Sequence, residues 1–249
     1  MRRTLLFSTR ALLLVLALLP LVPTWADETK PAGAPNAITT QDQLDEWMMH
    51  YYEHPQPELT CSAIQFMSAK GLISESSSPP IAAFLARLVE QDPEKAQEWR
   101  VRLGSGGNSA ATTIALALWM ANNRSELEAM LTAKLDPQVH GTVTELLQNT
   151  PPNLLQDEIR DSAYLDMFWG SFFATGDEKY VLRVIDALRF LAEKKDVQKM
   201  LIGGAAQWSL VSNAAQHRKV MQICEDQQKT APSKILADVI KNARKQAKH

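Results

Sequence analysis

Glycine is scarce in this 249-residue chain, with ten positions in all, and β-branched residues seldom cluster. Both shortages argue against a sheet-rich fold. The signatures of common catalytic sites are missing as well. There is no Gly-x-Ser-x-Gly elbow and no His-Glu-x-x-His helix, and neither of the two cysteines, Cys61 and Cys224, has a histidine beside it. Gly104-Ser105-Gly106-Gly107 lacks the preceding strand and the following Lys-Ser/Thr of a phosphate cradle, so it reads as a turn between helices. Strong charge of either sign is also absent: the formal net charge is −2. Nothing in that balance draws the chain to nucleic acid or anionic lipid.

The first 26 residues read as a leader. Arg2, Arg3 and Arg10 precede a twelve-residue apolar run, Ala11–Val22, and Thr24-Trp25-Ala26 places small residues before Asp27. A bilayer span needs about 20 apolar residues, and this run is interrupted by Pro20. Length and flanks therefore favour a cleavable secretory signal over residues 1–26 against an uncleaved anchor. No cysteine follows the run to carry a lipid. Loss of the three leader arginines takes the formal charge from −2 to −5. Residues 27–39, with Pro31, Pro35 and Gly33, read as a flexible linker, and residues 40–249 as one all-helical domain. In an exported chain Cys61 and Cys224 could pair; two buried thiols fit equally well.

Helix signals fill the rest. Thr40–Gln43 is a capping box for a helix reaching about Glu53, with Leu44, Trp47, Met48 and Tyr51 inward. A second helix is expected over 58–70. Ser78-Pro79, Asp92-Pro93, Asp136-Pro137 and Thr150-Pro151 each set a capping residue before a proline, the pattern of a helix start. Ser125–Glu128 is another capping box. Periodicity then predicts helices over 81–90, 94–103, 108–122, 126–135, 138–148, 153–160, 197–212, 216–228 and 233–245. The last carries Lys234, Lys241, Arg244, Lys245 and Lys248 on a face expected to be solvated.

The centre of the chain, residues 161–195, reads as a helical hairpin. Leu165, Phe168, Trp169, Phe172 and Phe173 share one face of its first helix; Val181, Val184, Ile185, Leu188, Leu191 and Ala192 share one of its second. Arg183, Asp186, Arg189 and Glu193 fall opposite. Gly176 suits a left-handed helix end, and Asp177 a cap for the second helix. Ala117–Leu131 can be laid on Gly170–Val184, yet the offsets between such echoes vary, so no fixed-period array is present. Short-looped antiparallel pairs stack side by side, which makes an all-α domain of stacked helix pairs, an α-solenoid or superhelix, the expected fold.

Trp169, Phe172, Gly176, Asp177, Val181, Ile185 and Leu188 resemble the aromatic, turn and second-helix positions of a tetratricopeptide-type repeat. Val181 stands where that repeat has a small residue, and no proline closes the unit near Lys195. The run Trp169–Asp177 also resembles the aromatic-rich hairpin of exported bacterial all-helical proteins, a resemblance that implies architecture and an envelope address and brings no activity with it.

One spacing is suggestive of metal. On a continuous helix Glu46, His50 and His54 would stack on one face, with Glu53 close by. His140 and His217 are isolated, and adjacent Asp157-Glu158 point apart. Gly203-Gly204-Ala205-Ala206 lies inside a helical pattern, where small residues admit a close neighbour. Trp99, Trp119, Trp169, Trp208, Tyr164 and Tyr180 exceed the needs of a narrow core stripe; any that line an outer surface would suit a peptide or protein partner. No catalytic, cofactor-binding or metal-ligating residue is assigned and no cofactor is implied. The expectation is a non-enzymatic exported scaffold for a protein or peptide partner. The alternatives are an envelope hydrolase or metal-dependent enzyme sited near Glu46, His50 and His54, and a purely structural subunit seen as a homo-oligomer.

Overall fold

The computed structural model describes residues 37–74 and 76–248; the expected leader and most of the expected linker lie outside them. The described residues form twelve α-helices and no strand. They are α1 (Gln41–Met49), α2 (Thr60–Ala69), α3 (Ser78–Gln91), α4 (Pro93–Gly104), α5 (Asn108–Met120), α6 (Arg124–Met130), α7 (Pro137–Gln148), α8 (Ala163–Thr175), α9 (Glu178–Ala187), α10 (Val197–Gln216), α11 (Arg218–Thr230) and α12 (Lys234–Gln246). Short 3-10 turns cover Pro57–Leu59 and Leu188–Ala192. No helix among them is long and apolar enough to cross a membrane. Ile38, at the end of the segment expected to be a linker, is buried, and its N–H donates to Ser62 Oγ at 3.1 Å.

Local chemistry sets most helix ends. Thr40 and Gln43 close the capping box of α1 reciprocally. Pro79 and Pro93 sit in the first turns of α3 and α4, where a missing N–H costs nothing. Asp136 accepts from Gln138 N–H at the start of α7. Gly176 ends α8 with φ +64°, and Asp177 caps α9 through Lys179 N–H.

Several expectations need correction. α1 stops at Met49, four residues short of Glu53, because the chain turns back and Trp47 Nε1 donates to Gln56 O at 3.1 Å. α6 is capped by Asn123, which accepts from Glu126 N–H; Ser125 only donates to Asn123 Oδ1. The helix expected over 153–160 does not form. Its carbonyls are taken by distant side chains instead: Asp157 O accepts from the Arg183 guanidinium and Arg160 O from Gln198 at 3.4 Å. Leu154 and Ile159 are buried as anchors of this crossing segment.

Helices touch their second neighbours in sequence, α3 with α5, α5 with α7, α2 with α4, α4 with α6, α9 with α11 and α10 with α12. The broadest contact breaks that order: α3 lies against α8. One row therefore reads α7, α5, α3, α8 in space. The chain enters in the middle, builds outward to α7, and returns through residues 149–162 to continue on the other side of α3. The α3–α8 crossing is close because residue 170 is glycine. A Cβ there would run into Pro80 O and lie 3.4 Å from Phe84 N. Phe84 sits under this crossing, 5.3 Å from both the Trp47 and Tyr51 rings.

Candidate functional site

The expected Glu46, His50, His54 face does not assemble. His50 ends α1, and its Nδ1 lies 3.0 Å from Glu53 Oε2, with Glu46 Oε2 3.9 Å from Nε2. His54 lies in the following turn and is exposed. Among the described residues, no three His, Cys, Asp or Glu side chains group so as to hold a metal ion. Cys61 and Cys224 are free, buried thiols on α2 and α11. Burial pushes both upward, Cys224 to about 12, so neither is a thiolate nucleophile.

His50 instead faces His217, the residue between α10 and α11, with ring centroids 5.1 Å apart. His217 is 1% exposed, against the Phe173 ring at 5.2 Å, and its Nδ1 is 3.4 Å from Tyr52 Oη. Its Nε2 is buried without a hydrogen-bond partner. Burial, reinforced by His50, lowers the His217 pKa to about 4, so the ring is neutral at pH 7. Burial opposes the charge on Glu53, but hydrogen bonds from Tyr52 and His50 outweigh it and hold that carboxyl below its ordinary range. Burial and the adjoining Glu53 push the Tyr52 hydroxyl far up. The cluster joins the end of α1 to the boundary between α10 and α11, with the buried neutral ring of His217 on one side of His50 and the Glu53 carboxylate on the other.

The unusual surface lies on α10. Val197, Leu201 and Trp208 are 65%, 69% and 60% exposed, and Met200 is exposed beside them. Steps of four, three and four from Val197 through Leu201 and Gly204 to Trp208 keep all of them on one stripe. Ile202, Ala206, Leu210 and Ala214 occupy the opposite stripe and are buried. From Met200 to Gln216 the helix has no charged residue, so its outward face is uncharged over most of its length, with Gln207, Ser212 and Gln216 as polar members among the apolar ones. The fold fixes α10 firmly in its first half. Asp196 caps it through Lys199 N–H, and Gly203 meets the 3-10 turn so tightly that a Cβ would lie 2.7 Å from Leu191 N.

The other aromatics do not join this surface. Trp99, Trp169 and Tyr180 are buried, and Trp119 and Tyr164 are half-buried, Trp119 donating to Asn149 O at 3.0 Å. On α12 Leu236, Val239 and Ile240 point inward, while Lys234, Lys241, Arg244, Lys245 and Lys248 are exposed. The stripe on α10 is hidden in the sequence because Val197, Leu201 and Trp208 have the spacing of core positions. The legible signal is the missing charge between Met200 and Gln216. Comparison with known protein families, curated proteins and solved structures finds no match to the chain.

Proposed function

We propose that this chain is a non-enzymatic, exported helical-repeat scaffold that docks a protein or peptide through the uncharged face of α10. The observation that carries the reading is the row of exposed Val197, Leu201 and Trp208 on one stripe of a 20-residue helix. Large apolar side chains exposed in a contiguous line mark interaction surfaces, whereas single ones need no explanation. The second-neighbour contacts among helices support a stacked-pair, repeat-like architecture, with the α3–α8 contact as its departure from a simple array. The address rests on Arg2, Arg3, Ala11–Val22 and Thr24-Trp25-Ala26.

The test places a photo-crosslinking amino acid at Trp208 and, separately, at exposed Glu128 on α6 as a control. The expected result is an adduct of defined mass from position 208 only, lost when Leu201→Asp is added. Equal labelling from both positions would remove the support for this reading.

A further inference from the structure

We infer that the partner seated on α10 is a second copy of this chain, its own α10 lying antiparallel across the first. The inference rests on the docking role just proposed for that helix and names its occupant. Three observations carry it.

The first is Gly204. It lies mid-helix, where glycine weakens the helix relative to alanine. Its neighbour Gly203 has a reason inside the fold, namely the backbone of Leu191 and Phe190 pressed against it. Gly204 has none, since a Cβ built there meets nothing within 4 Å. The room it leaves opens outward, at the middle of the exposed stripe. Gly141 of α7 is open in the same way, but Gly204 alone of the two lies among large exposed apolar side chains, where a backbone from outside can approach closely.

The second is register. In an isologous pair, residue i meets residue j and j meets i. A two-fold axis passing between Gly204 and Ala205 sets Leu201 against Trp208 of the partner subunit, and Val197 against the partner's Ser212. Both large apolar groups of the central stripe thus find each other, twice. The small pair at the axis lets the helices come near enough for those contacts to close.

The third is charge. Most protein partners would be recognised at least partly by complementary charge, and the outward face from Met200 to Gln216 offers none. An uncharged surface is complementary to itself. A 20-residue helix is roughly 30 Å long and 10–12 Å across. That footprint is smaller than the roughly 800 Å² per partner of a standard interface. The pairing therefore belongs with small, transient interfaces.

Sedimentation equilibrium of the purified chain, from about 1 to about 200 µM, tests it. The weight-average mass should rise with concentration toward twice that of one chain. Leu201→Asp and Trp208→Arg should each hold the mass at the single-chain value, with unchanged circular dichroism because both sites are exposed. Combining the two should restore self-association, since the antiparallel register sets each introduced aspartate against an introduced arginine of the other subunit. A wild-type mass that stays at one chain overturns the inference. So does a dimer indifferent to the single substitutions, or a double variant that remains single. If the mass stays at one chain while crosslinking from position 208 still captures another protein, the occupant is wrong and the docking face stands. If both experiments are blank, the docking reading falls too.

Discussion

His217 shows how one buried ring couples stability to pH. Its folded pKa is near 4, below the ordinary 6.5, because burial and the adjacent His50 disfavour the cation. The unfolded chain therefore binds a proton at a pH where the folded chain does not. Stability is fully present above about pH 6.5 and falls as pH drops toward 4, by on the order of 3 kcal/mol in total. Glu53, held below its usual range, acts in the same direction at lower pH. Urea titrations at a series of pH values should show this slope, and His217→Gln should flatten it between pH 6.5 and 4. An unchanged slope in that variant would show that other groups produce it. The two adjacent glycines of α10 give a second contrast at this scale. Gly203→Ala forces a Cβ onto Leu191 N at 2.7 Å and should destabilise the chain by about 1–3 kcal/mol. Gly204→Ala enters open space within a helix and should stabilise the single chain by roughly 0.5–1 kcal/mol. Thermal melts of the pair, one down and one up, check both signs at dilutions where no pairing occurs.

Among the elements, the α8–α9 hairpin was legible and the 153–160 segment was not, for opposite reasons. The hairpin's instructions are local. Gly176 turns the chain at φ +64°, Asp177 caps four residues after Phe173, and aromatic spacing sets the inner face. Thr150-Pro151 and the apolar positions Leu154 and Ile159 are equally local, and they suggested a helix. The deciding groups are far away. Arg183 takes Asp157 O and lies over the Phe168 ring at 5.4 Å, and Gln198 takes Arg160 O. Arg183 falls opposite the apolar stripe of its helix, and its guanidinium is the clamp of the returning chain. Arg183→Ala should cost about 1–3 kcal/mol, and proteolytic nicking between Pro151 and Arg160 should quicken more than elsewhere. Uniform protection of that stretch in the variant would remove the clamp. For α10 the helix itself was readable. Which side faces outward was not, because a helix without charges carries no polar stripe to mark its wet face.

At the scale of the molecule, the question is whether the rows unfold together. If helices touched only sequence neighbours, stability would be a sum of local and nearest-neighbour terms, and one end could melt before the other. Here α3 stands between α5 and α8, so residues from the first half of the chain form the wall on which the second half is built. Phe84 sits at that wall, 1% exposed, against Trp47 and Tyr51 near the start of the described chain and beside Gly170 of α8. The His217 joint ties Tyr52 to the α10–α11 boundary in the same sense. Removing the Phe84 ring leaves a cavity beside Trp47 and Tyr51, under the α3–α8 crossing, which should cost about 3–5 kcal/mol. The cost should fall on the whole chain. Hydrogen exchange of Phe84→Ala is expected to show α5, α8 and α10 losing protection by the same factor, with one calorimetric transition at a lower temperature. If α9–α12 keep wild-type protection while α3–α7 open, the two sides of α3 are separate cooperative units, and the α3–α8 contact is a seam between them rather than the centre of one core.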